Sequence, residues 1–154
     1  MKIDYQELIL IRLGEIALKG LNRHKFETRL ISNLRYRLRD LGKFKIYQEQ
    51  SRVYIEKRPQ DEFDFPTGQI LKRIKDVFGY VSASPVRRFA NDKDILFAQV
   101  ETYVAELYAD GAAHSFKFET RRIDKDFPLN SYQLNCDLGE KVLNAFPDQA
   151  TVDV

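Results

Sequence analysis

Cysteine is nearly missing: Cys136 stands alone among 154 residues. No internal disulfide can form, and thiolates cannot assemble a zinc cluster. Such usage suits a reducing cytoplasm. Histidine is scarce too. His24 and His114 lie 90 positions apart, and neither sits in an H-E-x-x-H or H-x-E context, so no metal site is expected. No G-x-S-x-G is present to display a nucleophilic serine. No apolar run approaches the ~18 residues that a membrane helix needs. Asp4, Glu7 and Arg12 interrupt the N-terminal stretch that a secretory leader would require to be apolar. A cytoplasmic protein without membrane contact is the expectation.

Glycine patterns are equally informative by what they miss. Gly14 and Gly20 bracket a loop that turns basic at Lys19, Arg23, His24 and Lys25. A phosphate loop of the G-x-x-x-x-G-K-[ST] type needs four residues between its glycines and a lysine after the second. Here five intervene, and Leu21 and Asn22 follow. G-x-G-x-x-G is absent as well. The stretch is better read as a turn at each glycine that presents Lys19, Asn22 and Arg23 before a helix N-terminus, where backbone N–H groups favour a phosphate of any kind. Glu15 next to Gly14 is expected in a salt bridge rather than in acid–base chemistry. By its phase with Leu134 and Leu138, Cys136 is expected to be half-buried in core packing, and Asp137 beside it works against a redox or sulfur-carrying role.

What the chain does hold is a core and a charge gradient. Hydrophobic residues make up 44% and aromatics 12%, enough for a packed interior. Residues 1–90 carry 19 Lys+Arg against 11 Asp+Glu, and residues 91–154 carry 6 against 12. The first part is thus +8 and the second −6, which suggests two modules and a polyanionic partner for the first.

ELILIRL, residues 7–13, reads as a strand buried on both faces. Residues 22–41 read as a helix with Asn22 as N-cap, an apolar stripe at Phe26, Leu30, Ile31, Leu34, Leu38 and Leu41, and Gly42 as the stop. Lys25, Arg29, Arg35 and Arg39 fall on its opposite, solvated side. Residues 44–49 and 52–57 are short strands around a turn that lacks Asn-Gly. Residues 69–78 give a second helix closed by Gly79, and residues 80–89 a fourth strand whose Pro85 marks an edge or bulge. The order β-α-β-β-α-β predicts a ferredoxin-like unit over residues 1–88, an antiparallel sheet with both helices on one face. From residue 89 the pattern is α-β-α-β: a helix over 91–111, a strand over 114–123, a helix from Asn130 or Ser131 to Phe146, and a strand begun by ATVDV. The whole is an α+β chain whose second, partial α/β unit ends early.

FETRRIDKDF, residues 118–127, sets Arg121, Arg122 and Lys125 among Phe116, Phe118 and Phe127. Cations grip phosphates and aromatics stack on unpaired bases. Lys117 belongs with the same group. The plainer reading keeps the phenylalanines in the core and pairs the cations with Asp124 and Asp126.

LIRLGEIALKGLNRHKFETRLISNLR (residues 10–35) closely resembles the start of bacterial tRNA 4-thiouridine synthetases, also called tRNA sulfurtransferases or thiamine-biosynthesis sulfurtransferases. FKFETRRIDKDFPLNSYQLNCDLGEKVLNAFP (116–147), followed by TVDV, resembles the THUMP domain of that family, here cut short. The resemblance implies a ferredoxin-like domain followed by THUMP over 89–154. It implies a tRNA partner gripped at the acceptor stem and 3′ end, with Arg121, Arg122, Lys125 and Lys117 as THUMP contacts and Lys19, Asn22 and Arg23 as contacts or buttresses. It also implies that ATP with Mg, a sulfur-donor protein of the cysteine desulfurase type and the catalytic steps belong to a later domain. These residues alone would then bind rather than catalyse. An exposed edge of the second sheet could pair two chains into a homodimer. Two other readings stay open: a ferredoxin-like regulatory or assembly module that binds a protein or small metabolite, and a self-contained enzyme using Glu15 and Lys19.

Overall fold

The structure, a computed structural model, describes residues 5–14, 22–77 and 80–153. Glu15, Lys19, Gly20 and Gly79 lie outside the described residues. Two compact units divide the chain, one formed by Tyr5–Arg88 and the other running from Phe89 onward.

The first unit is the expected β-α-β-β-α-β. Its elements are β1 (Gln6–Leu13), α1 (Arg23–Arg37), β2 (Phe44–Glu49), β3 (Arg52–Lys57), α2 (Thr67–Ile74) and β4 (Tyr80–Arg88). The strands form one antiparallel sheet in the order β2-β3-β1-β4. Alternation along β1 sends Ile9, Ile11 and Leu13 to one face, where they meet Val53 and Ile55 of β3, Leu30 and Leu34 of α1, and Ile70 and Ile74 of α2. Ile9, Ile11, Val53, Ile55, Leu34, Ile70 and Ile74 are fully buried, each contributing about 1.5–3 kcal/mol. Leu8 and Leu10 on the other face are buried too, as the unbroken LILI run requires. Pro85 pairs only toward β1 on the edge strand β4, where its missing N–H costs no ladder bond.

Local chemistry departs from expectation at three points. Asn22 occupies the N-cap position of α1, but its side chain makes no capping bond. The helix ends at Arg37 rather than Leu41, and Leu38–Leu41 close it with turns into Gly42. Gly42 has φ +139°, with the Phe63 ring 3.4 Å from where a Cβ would stand. The β2–β3 hairpin turns on Gln50 and Ser51, both at positive φ (50° and 65°). Two left-handed non-glycine residues cost about 1 kcal/mol each. Part of that is offset by Arg23, which donates from Nη2 to Ser51 Oγ at 2.7 Å.

The face opposite the helices carries a buried carboxylate. Glu56, 6% exposed in its side chain, accepts from Arg88 at 2.9 Å and from Tyr47 Oη at 3.0 Å, with Lys45 Nζ at 3.6 Å. Tyr47 stacks on Tyr54 across the strands. At the rim, Arg73 binds Asp40 at 2.6 Å and ties the end of α1 to α2, while Arg58 holds Asp61 through two bonds.

The second unit holds α3 (Lys93–Leu107), β5 (His114–Phe116), α4 (Ser131–Ala145) and β6 (Ala150–Val152), with β5 and β6 parallel. Tyr108, Val142 and Ala150 are its buried centre, packed by Val100, Val104, Phe116, Phe118 and Phe146. The expected stripe of the first helix narrows, because Tyr103 and Leu107 are exposed. The expected strand over 114–123 shrinks to three residues. Only Ala150–Val152 lines up beside it, and residues 117–123 have no strand partner among the described residues. Cys136, expected in the core, is exposed. It stands two residues from both Leu134 and Leu138, which is 200° around a helix and therefore opposite the buried stripe.

Two outcomes follow. Replacing Glu56 with Ala leaves Tyr47 Oη without its acceptor and Arg88 without its counter-charge; the first unit should lose about 2 kcal/mol in urea denaturation, and an unchanged midpoint would contradict the network. Asp40 and Asp61 are each held below the ordinary carboxylate value, first by hydrogen bonds from Arg73 and Arg58. A depressed folded-state value means the stabilisation is complete above the unfolded-state value, 3.8, and is lost as pH falls through the folded one. Thermal melts of an Asp40→Asn, Asp61→Asn variant should therefore fall less steeply with acidification below about pH 4 than those of the parent chain.

Candidate nucleic-acid interface

The basic loop between β5 and α4 begins at a packed anchor. Phe116 lies edge-on to Phe118 with ring centroids 5.6 Å apart, and both belong to the core of the second unit. Gly139 on α4 has the Phe116 ring 3.9 Å from where a Cβ would stand, so this helix approaches closely. Phe116 and Phe118 are thus not free to stack on bases, and the stacking role expected of them is withdrawn.

Beyond Phe118 the chain runs without ladder partners among the described residues and is held by side chains. Thr120 Oγ1 donates to Asn135 Oδ1 on α4 at 2.6 Å. Asp124 is the hub: Asn91 Nδ2 donates to one carboxylate oxygen at 2.7 Å, and the Asp126 backbone N–H donates to the other at 3.0 Å. The loop ends in a full capping box, with Asn130 Oδ1 accepting from the Gln133 N–H at 2.8 Å and Gln133 Oε1 accepting from the Asn130 N–H at 2.9 Å.

This scaffold brings Arg121, Arg122 and Lys125 together. Arg121 and Lys125 are exposed; Arg122 is half-buried and donates from Nη1 to the Phe127 carbonyl at 3.3 Å. Among the described residues none of the three has a carboxylate within ion-pair distance. Asp124 is instead bonded to Asn91 and to the backbone, which answers the plainer sequence reading against pairing. A cavity of about 440 Å³ opens beside them, lined by Arg121, Arg122 and Asp124 with Leu96, Ile123 and Phe127 among its apolar walls. A row of cations over an apolar recess can hold a phosphate and shelter a base or sugar.

The other expected contacts fare differently. Lys117 pairs with Glu119 at 3.3 Å, so a phosphate would compete with that carboxylate for it. Arg23 is engaged with Glu27 at 3.0 Å and with Ser51, so in this structure it buttresses the start of α1. Asn22 is exposed beside it, and Lys19 lies outside the described residues. Tyr132 went unnoticed in the sequence. It is 77% exposed on the first turn of α4, and a hydrogen bond with the Cys136 thiol holds its hydroxyl above the ordinary phenol value. The signal was available, since Tyr132 lies 200° from Leu134 on the helical wheel. Among the described residues no cluster could hold a metal ion, and no helix is long and apolar enough to cross a membrane.

Residues 8–84 match the ThiI ferredoxin-like domain and residues 90–154 the THUMP domain. The chain belongs to the family that the ThiI ferredoxin-like domain defines, here joined to a THUMP domain. A probable tRNA sulfurtransferase of Alkaliphilus metalliredigens is 38% identical over 90% of this chain and 34% of its own length. One from Acetivibrio thermocellus is 38% identical over 97% of this chain and 37% of its own. The chain therefore spans about a third of the curated relatives it matches. Among solved structures, a 4-thiouridine synthetase–RNA complex with bound ATP superposes on 97% of this chain and 36% of that one, with TM-score 0.74 and 25% identity. A protein of Pyrococcus horikoshii Ot3 shares the fold at TM-score 0.76 over 96% of this chain and 47% of its own, at 24% identity.

Replacing Asn130 with Ala removes the side-chain arm of the capping box, the Oδ1 that accepts from the Gln133 N–H, while the backbone N–H that donates to Gln133 Oε1 is kept; stability should fall by about 1 kcal/mol. Urea denaturation followed by circular dichroism would read the change, and an unaltered midpoint would show that the cap does not hold the loop's end.

Proposed function

We propose that this chain is the tRNA-binding portion of a tRNA sulfurtransferase, and that its second unit grips the acceptor stem and the single-stranded 3′ end. The observation that carries the reading is the trio Arg121, Arg122 and Lys125 on one braced loop, with the neighbouring Asp124 carboxylate bonded elsewhere. A helical RNA stem is held through its phosphates and shape rather than read by sequence, and three clustered cations suit that task. The recess beside them suits an unstacked terminal nucleotide, and exposed Tyr132 offers a ring at the same end of α4. The match to THUMP and the RNA-bound relative support the same partner.

On this reading the chemistry of thiolation, with its ATP, Mg and sulfur-donor protein, is carried out by a domain other than these residues. Their task is to fix the substrate. Phosphate contacts release counterions, so affinity should fall steeply with salt.

The test is equilibrium binding of the chain to tRNA across a salt series. An Arg121→Ala, Arg122→Ala variant should bind about tenfold more weakly, and its log–log salt slope should be shallower by roughly 1.4–1.8, for two lost phosphate contacts. Full affinity and slope in a folded variant would reject the assignment. Salt-insensitive binding of a protein or metabolite in place of tRNA would favour a regulatory ferredoxin-like module.

A further inference from the structure

The first unit carries a second cationic surface that the reading above does not use. On α1 the side turned away from Leu30 and Leu34 presents Lys25 and Arg29, both exposed; Arg39, in the turns that close the helix, and Lys43 beyond them are exposed as well. Lys25 and Arg29, one turn apart, share a face of the helix, and Arg39 and Lys43 add two more cations just past its C-terminal end, so the four make one cationic ridge. The two carboxylates on or just after the helix turn elsewhere: Glu27 binds Arg23 and Asp40 binds Arg73.

The C-terminal end of the ridge is concave. A cavity of about 400 Å³ is walled by Arg35, Arg39, Lys43 and Arg58 over a floor of Leu38, Phe44 and Ile46. Arg58 is matched by Asp61; the other three cations have no ion-pair partner among the described residues. Arg39 is preorganised. Its guanidinium lies 3.9 Å over the Tyr36 ring and donates to the Tyr36 carbonyl at 2.7 Å, so little rotamer freedom is lost when it meets an anion.

We propose that this ridge and its end pocket form a second phosphodiester-binding surface, with Arg35, Arg39 and Lys43 holding phosphates of an RNA strand. The inference rests on the RNA-binding reading but concerns a different unit and different residues. A single small anion would occupy the pocket and leave Lys25 and Arg29 unused. A polyanion uses the whole line. The solvated face expected from the sequence thus gains a role.

The test uses the full chain and a hairpin RNA with an acceptor-like stem and unpaired 3′ tail, followed by fluorescence anisotropy over a salt series. Arg39→Ala, Lys43→Ala should weaken binding about fivefold to tenfold and flatten the salt slope by roughly 1.4–1.8. Arg39→Lys, Lys43→Arg should keep most of the affinity, which separates lost charge from lost fold. Lys72→Ala, Lys75→Ala removes the same charge from the α2 side and should change affinity less than twofold. Wild-type affinity in the Arg39/Lys43 alanine variant, or an equal loss in the Lys72/Lys75 variant, overturns the inference. If the parent chain binds the hairpin and loses affinity only on Arg121→Ala, Arg122→Ala, this surface alone is refuted. If the parent chain does not bind, the RNA reading itself falls.

Discussion

The bond from Asn91 to Asp124 decides what the basic loop can do. Asp124 lies between Arg122 and Lys125 in sequence and, without that bond, is an acid within reach of the same short loop. With it, one oxygen accepts from an amide that precedes α3 and the other from the next turn's backbone. A neutral donor stabilises the carboxylate without drawing in a cation, so the arginines remain available to a phosphate. The same contact fixes the loop to the helix layer of its unit at the point where ladder bonding has stopped.

α1 shows a comparable division of labour on a single element. Its buried stripe anchors the sheet through Leu30 and Leu34. Its one acid and its first arginine form a clamp: Glu27 holds Arg23 along the helix, and Arg23 reaches the strained hairpin at Ser51. Cations left over from those clamps line the outer ridge. The +8 of residues 1–90 is therefore not spread evenly, since Arg58, Arg73 and Arg88 are matched by carboxylates inside the unit.

Much of the first unit was legible because its periods are clean. Ile9 and Ile11 alternate with Leu8 and Leu10, and Leu30, Leu34 and Leu38 step by four, so strand and helix could not be confused. The 44–49 and 52–57 strands were placed correctly although Gln50 and Ser51 lack the usual turn chemistry. Less legible were features that depend on partners distant in sequence. Residues 117–123 alternate like a strand, yet a strand exists only where another lies beside it, and β6 offers three residues. Arg23 reads as a free cation until Ser51, 28 positions away, is brought beside it. Phe116 and Phe118 look equally suited to bases or to a core, and packing against Tyr108 and Val142 decides for the core. Arg121, Arg122 and Lys125 were visible as a cluster; that Asp124 would be bonded to Asn91 was not.

Hydrogen–deuterium exchange of the chain, with and without an acceptor-stem hairpin RNA, tests the central claim most directly. The account requires slowed exchange in the 117–127 segment, whose backbone has few hydrogen bonds of its own, when RNA is added. Protection confined to other segments, with 117–127 exchanging as fast as in the free protein, would contradict it.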